Sequence, residues 1–549
     1  MPAFDNISIE AKFDGTTWTD ISSDVVGGFH CDYGIYGNGP FDRVGSPGTL
    51  TFSLDNSQYN SAGLLGYYSP YNANCRTGFG AGLEIRACFT LDGRKKQKWI
   101  GRVPAKNGID IIPGMYGQRT VTVTVKDWMQ DVADEEINGV AFTTSKTIMQ
   151  GVPLIIAQMT NEPPGTDDYC TADLTFNTLF DTTRQTTTAM AEFGKMTQSE
   201  LGYLYLTRNG LRVEGRNTRN DEKTDLDDYP KSRADLDTLI NETPDTIVNE
   251  DGDTIVISDA TTAIFDDDQI AMTVTVGNNF YNNARFKAYP RKVDAAATTV
   301  LYNLQSPMAL AAGASAVIAG RYTDPSSKAV EVSGISMVTP VATTHYQMFV
   351  NKDGTGADLT ANLTVTPSFG TGGFSHTVTN TGATDGYITK FTAVGKGVYL
   401  YDPVEYYVED ADSITEHGKT PCLVIDQKYQ DDPMIASRWA DISILQHKTI
   451  RTNVEEMTII ANKTAAYLSA FLYLEPGDRI RCSETVSGIE SDYYIHNVSF
   501  DVAVGGIVTF TWLLRQAALD TFHFSKWIAD DVTIPSYGTW DDLIYGWDF

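Results

Sequence analysis

The chain has 549 residues, too many for one ordinary core, so several domains are expected. With 42% apolar and 20% charged residues it is a folding chain rather than a disordered one, and 46 glycines among Thr-, Val- and Tyr-rich runs tilt it towards β structure. A formal net charge of −29 argues against a nucleic-acid groove, which needs a basic patch.

The sole basic run, Arg94-Lys95-Lys96-Gln97-Lys98, reads as a solvated hairpin turn. Six cysteines without a CxxC pair read as small core residues. The start MPAFDNISIEAKFDG lacks an apolar signal core, and no segment reaches the roughly 18–20 apolar residues of a membrane span. A soluble product made in the cytoplasm, without integral membrane contact, is expected.

Residues 1–126 alternate as strands. Leu50-Thr51-Phe52-Ser53-Leu54, Ile85 to Phe89, Gln97 to Val103 and Arg119 to Val125 predict a barrel-like domain. Residues 127–302 read as an α+β domain. Asp127 is placed to cap a helix over Trp128 to Asp134, and helical spacing recurs over 145–159, weakened by Gly151 and Pro153. Residues 187–202 predict a helix packed through Met190, Phe193, Met196 and Leu201, feeding a hairpin at Asn209-Gly210. Acidic, turn-rich sequence fills 218–268.

Residues 303–397 hold little charge and many short strands, which predicts an inserted β-sandwich. Residues 398–518 predict a second barrel-like domain with short helices, including one over 427–444. In it Pro476-Gly477-Asp478 makes a turn between apolar runs. The segment 519–549 carries eight aromatic residues and six Asp against one Lys. Such a stretch either packs back on its own domain or docks on another subunit, with carbohydrate stacking a lesser alternative. The fold class is therefore mainly β with α+β elements, in a multidomain chain.

Catalytic signatures are missing. There is no GxSxG, Walker loop or HExxH, and no two of the seven histidines stand at i, i+4. His30 beside Cys31 is too little for a metal, and His496 reads as a surface or packed histidine. Asp266-Asp267-Asp268, Asp227-Asp228, Asp431-Asp432, Asp530-Asp531 and Asp541-Asp542 read as solvated turns, because consecutive side chains splay apart. No cofactor, metal or catalytic residue is nominated.

Four stretches, taken in order, resemble the tail-tip or baseplate hub proteins of tailed bacteriophages, the minor tail proteins. They are GTLTFSLDNSQYNSAGLLGYYSPYNANCRTGFGAGLEIRACF (48–89), TVTVTVKDWMQDVAD (120–134), GYLYLTRNGLRVEGRNTR (202–219) and LEPGDRIRC (474–482) with the strands that follow to Trp512. The likeness spans roughly residues 1–515 and rests on order and spacing, since no single motif is specific. It implies a virion protein at the tail tip and a homo-oligomeric ring, usually of three copies. It also implies contacts with the distal tail or tube protein, the tape measure protein and receptor-binding or fibre proteins. It carries over no catalytic residue. Interface candidates are Tyr67, Tyr68, Tyr71, Trp128, Trp527, Trp540 and Trp547. Two rival readings remain: a carbohydrate-binding adhesion protein using the sandwich, and a tail-associated glycan or peptidoglycan hydrolase with two opposed carboxylates.

Overall fold

A computed structural model of the chain describes residues 2–114, 119–137, 140, 142–172, 174–180, 187–216, 218–221, 264–265, 270–370 and 372–517. The architecture is mainly β, built from several sheets with helices beside them.

The largest sheet has 14 strands and draws on both halves of the chain. Its pairing order runs Ala271–Val276, Thr452–Ile460, Val508–Gln516, Ile489–Val502, Val25–Gly34, Ser46–Asp55, Thr120–Lys126, Arg94–Arg102, Glu84–Leu91 and Asn6–Ala11, ending on Thr19–Asp20. The seam between the halves is the antiparallel pair Val25–Gly34 with Ile489–Val502, in register from Phe29↔Val502 to Gly34↔Asn497. The strands expected as two separate barrels thus share one sheet. They also share one interior, in which Phe4, Phe89, Phe471, Phe500 and Phe510 meet in edge-on and tilted ring contacts. Alternation does the local work: Leu50, Phe52 and Leu54 are buried in one strand, and Val121, Val123 and Val125 in its neighbour.

A second core is mixed α/β. Helix Trp128–Asp134 begins at Asp127, whose carboxylate accepts the Met129 N–H at 3.0 Å, and buries Trp128, Met129 and Val132. Helix Ala189–Glu200 is capped by Thr188 and buries Phe193 and Met196. Helix Ile148–Ile156 forms in spite of Pro153, which lies on its exposed side. Gly151 faces inward, where a Cβ would come within 2.9 Å of both Leu179 and Met196. Helix Pro433–His447, capped by Asp432, packs Ala436, Trp439 and Ile442 into the same core while Met434 stays exposed.

A third core belongs to a two-sheet unit with strands between Arg291 and Leu400. Strand Gly386–Leu400 pairs along both edges with five others to make one sheet, and Gly373–Asn380 centres the second. The chain enters and leaves this unit through Asn283–Ala288 and Val404–Glu409, which pair antiparallel from Asn283↔Glu409 to Ala288↔Val404. Adjacent entry and exit strands are the mark of an insertion that leaves its host core continuous. Among the described residues, no helix is long and apolar enough to cross a membrane.

Candidate functional site

Two features stand out: a buried ionic junction that ties the chain halves together, and an exposed loop held rigid from beneath.

The junction is built on the turn Glu475-Pro476-Gly477-Asp478. Asp478 accepts the Glu475 N–H at 2.8 Å, and Gly477 donates its N–H to Ile495 O at 2.7 Å. Glu475 accepts Lys98 Nζ at 2.6 Å, Tyr33 Oη at 2.9 Å and the Arg208 N–H at 3.2 Å. Lys98, fully buried, also donates to Leu474 O at 2.9 Å. Burial pushes its ammonium down, opposed by the Glu475 carboxylate. The reading of 94–98 as a solvated turn is therefore corrected. Arg94–Arg102 is a strand, and Lys98 is buried at a register shift, where Gln97 and Trp99 pair with Cys88 and Ala87 and Lys98 has no partner of its own on the neighbouring strand.

The hairpin Tyr203–Thr207 with Gly210–Glu214 lies against this turn. Glu214, fully buried, accepts Arg219 Nε at 2.8 Å, Arg212 Nε at 3.0 Å and the Tyr205 hydroxyl. Burial alone would raise its carboxyl; Arg219 and Arg212 outweigh that and hold it below the usual range. Arg219 donates to His496 Nε2 at 3.1 Å, so His496 Nδ1 carries the proton given to Gly37 O at 2.9 Å. His496 is a packed, neutral histidine of this network.

Burial pushes Asp127 up to about 7, against backbone hydrogen bonds from Gly48 and Met129. An unfolded Asp titrates near 4. Between the two values the native state holds a proton that the unfolded state has released, so stability falls as pH rises across that window. Asp127→Asn keeps an oxygen for the Met129 N–H and removes the titration. The stability of the variant relative to the parent is expected to rise by about 2–3 kcal/mol from pH 5 to pH 8. Urea unfolding at both pH values checks this, and a pH-independent difference would contradict it.

The exposed loop joins Ser46–Asp55 to Glu84–Leu91. Asn56 anchors it by donating to Ser69 Oγ and accepting the Tyr68 N–H, each at 2.8 Å. Asn60 closes an inner turn through Ser57 O and Leu64 O. Asp24 accepts the Ser61 N–H, the Ser61 hydroxyl and the Tyr68 hydroxyl. Tyr68 is buried between the rings of Tyr67 and Phe79. On this footing the loop presents Tyr59, Leu64, Leu65 and Tyr71 to solvent, with Tyr59 83% exposed and Tyr71 fully so. A group of exposed apolar side chains on one loop marks a candidate contact surface.

Among the interface candidates, Tyr71 is thus on the surface and Tyr67 half-buried. Tyr68 and Trp128 are interior, which corrects their assignment. Tyr68 is the inner prop of the loop, and Trp128 packs in the second core with its Nε1–H on Asn161 O at 2.9 Å. Trp527, Trp540 and Trp547 lie outside the described residues, as do Asp227-Asp228, Asp266-Asp267-Asp268, Asp530-Asp531 and Asp541-Asp542. Asp432 is a helix cap, and Asp431 accepts Asn177 Nδ2 at 3.1 Å. His30 is on the surface beside Asp501. In the inserted unit Phe374 and Phe391 are buried, and Phe349, Phe369 and Tyr387 half-buried; its exposed bulky side chains include Val317, Val330 and Val341. Those valines supply no aromatic platform for a sugar ring.

No protein-family model matches the chain, and no curated protein does. Solved structures do. The 43 kDa tail protein of prophage MuSo2 from Shewanella oneidensis matches at 10% identity and a TM-score of 0.45, over 94% of this chain and 100% of that one. A tail protein from Neisseria meningitidis matches at 9% identity and 0.45, over 94% and 98%. A prophage tail protein from Listeria monocytogenes matches at 7% identity and 0.38, over 92% and 94%.

Proposed function

We propose that this protein is a non-enzymatic structural component of a bacteriophage tail, standing at the tail tip or baseplate as a hub. One observation carries the reading: the four sequence stretches that resemble hub proteins meet in space. The first and second touch where Asp127 donates its N–H to Gly48 O at 3.2 Å. The third and fourth touch where the Tyr203–Thr207 hairpin meets the Pro476-Gly477 turn. Tyr33 and Lys98, from strands of the large sheet, bind the fourth. A chain that invests its distinctive residues in internal bracing, with a rigid apolar loop facing out, suits a part that transmits force between neighbours.

In this reading copies close into a ring, most simply of three, because each contact is then repeated by symmetry. The loop with Leu65 and Tyr71 meets the adjacent copy. The remaining faces take the distal tail or tube protein, the tape measure protein and receptor-binding or fibre proteins. The high negative charge keeps an axial channel from trapping DNA.

Electron microscopy of the purified full chain tests the proposal, with a closed threefold ring as the expected result. Tyr71→Ser combined with Leu65→Ser is expected to weaken association at least about tenfold while leaving the unfolding temperature of the subunit unchanged. A wild-type chain that stays monomeric at tens of micromolar and turns over a glycan substrate would sink the reading.

A further inference from the structure

The inserted unit holds two of the chain's seven histidines, His345 and His376, and each uses Nδ1 to accept a backbone N–H. Val341 donates to His345 at 2.9 Å, and Ser368 donates to His376 at 3.0 Å. Each ring thereby fixes a loop to a strand. His345 O also takes the Thr392 N–H at 2.8 Å, and Ser368 O takes the Ser375 N–H at 2.9 Å. An imidazole that accepts at Nδ1 is neutral and keeps its proton on Nε2. His376 is fully buried, with the Phe369 and Phe374 ring centroids 4.6 and 4.4 Å from its own and that of Phe391 at 5.8 Å. Its Nε2 has no hydrogen-bond acceptor among the described residues. A second proton could enter only at Nδ1, where it would face the Ser368 N–H.

The surroundings give an imidazolium no counter-charge. The six-stranded and four-stranded sheets of the unit contain no Asp or Glu; their charged side chains are Arg291, Lys292, Arg321, Lys390 and Lys396, all basic. The strands packed on His376 bring Arg321, which is exposed and paired with Glu331, and Lys390 and Lys396, which are half-buried. Strands Leu363–Thr366 and Phe369–Gly370 bring no charge at all. Lys390 also stands near His345, donating to Thr343 O at 3.4 Å. A charged ring in this setting is buried among phenyl groups or set beside a like charge, and both disfavour it. We propose that the inserted unit is an acid-triggered element: on mild acidification His345 and His376 take up protons, both backbone staples break, and the unit opens while the host cores stay closed.

The direction of the effect follows from linkage. An unfolded histidine titrates near 6.5. Burial holds both rings below that value, and at His345 the Lys390 ammonium adds to it. Below about pH 6.5 the unfolded chain therefore binds protons that the native unit refuses. The contribution to stability is full above that pH and is lost as pH falls towards the folded values. Carboxyls of the host act in the opposite sense. Burial pushes Asp127 up to about 7 and Asp478 up to about 6, so over the same interval the native host takes up protons and gains stability, against the cost of keeping His496 neutral. Acid thus falls selectively on the insertion, whose entry and exit strands pair with each other and leave the host core continuous.

Hydrogen exchange of the full chain, corrected for the intrinsic rate at each pH, tests the device. From pH 7 to pH 5, protection in strands Leu363–Thr366 and Gly373–Asn380 is expected to fall at least about tenfold, while protection in Thr120–Lys126 changes by less than about threefold. His345→Asn combined with His376→Asn keeps an oxygen near each Nδ1 position and removes both titrations, so the fall should vanish. Should that variant fail to fold, nitrogen NMR spectra of labelled histidines in the wild type decide: two rings are expected to stay neutral, with the proton on Nε2, until the unit opens. Rings that become charged while the unit stays closed, unchanged protection of the insertion at pH 5, or host strands that open in step with it, each overturn the inference.

Discussion

Lys98→Met is expected to destabilise the chain by about 3–5 kcal/mol. The ammonium is fully buried and bonds to Glu475 Oε1 at 2.6 Å and to Leu474 O at 2.9 Å. Methionine fills much of the same volume, so the loss is not a cavity effect. It comes from the buried Glu475 carboxylate and a carbonyl left without their donor. Tyr33 and the Arg208 N–H remain on Glu475 and limit the damage. Glu475→Gln keeps an oxygen facing Lys98 and should cost less. The pair Lys98→Met with Glu475→Met removes both charges, so its loss should fall short of the sum of the single changes by more than about 1 kcal/mol. Urea denaturation of the wild type, Lys98→Met, Glu475→Met and the double variant completes the cycle. A loss below about 1 kcal/mol for Lys98→Met would mean that the junction is solvated and that the two halves of the sheet are held by their strand pairing and apolar packing without it.

Short-range chemistry in this chain is plain in its residues. The Asp127 cap before Trp128 and the strict alternation from Leu50 to Leu54 each depend on neighbours within a few positions and stand where their patterns predict, and the hairpin also forms, but its turn is Arg208-Asn209 rather than Asn209-Gly210, with Gly210 paired to Thr207 in the return strand. Partnership across hundreds of positions leaves no such trace. Nothing in Val25–Gly34 says that its neighbour is Ile489–Val502, because an alternating strand fits any complementary edge. Hence strands expected in two barrels merge into one sheet. The same blindness hides the junction. Lys98 sits in a basic run whose other members are exposed or half-buried, and only the fold shows that it turns inward. Tyr68 and Trp128 have surface-like neighbours in sequence yet prop a loop and fill a core. The one available clue to the junction is the accumulation of Arg and Glu at alternate positions, Arg212, Glu214 and Arg216, in a hairpin otherwise apolar: charges that close together on an inward-facing hairpin need partners from elsewhere.

Gly477→Ala is expected to cost about 2–5 kcal/mol, from two separable sources. The first is backbone strain. Gly477 has φ +95°, a conformation that L side chains rarely adopt, and its N–H to Ile495 O holds it there. The second is a clash: a Cβ would lie 1.8 Å from Tyr205 Oη and 2.9 Å from Glu214 Oε1. A flexible side chain could swing aside cheaply, but Tyr205 is fully buried and its hydroxyl is fixed on Glu214, which Arg212 and Arg219 hold in turn. Relief of the clash would therefore disturb the whole cluster. The two sources part in a Tyr205→Phe background. Removing Oη costs Glu214 one hydrogen bond, of order 1–2 kcal/mol, and clears most of the clash while the strain stays. Gly477→Ala should then be milder in that background than in the wild type by at least about 1 kcal/mol, measured by denaturant unfolding. Equal losses in both backgrounds would show that the turn yields around the new methyl group. The hairpin and the Pro476-Gly477 turn would then slide on each other, and the junction could not transmit load from one half of the chain to the other.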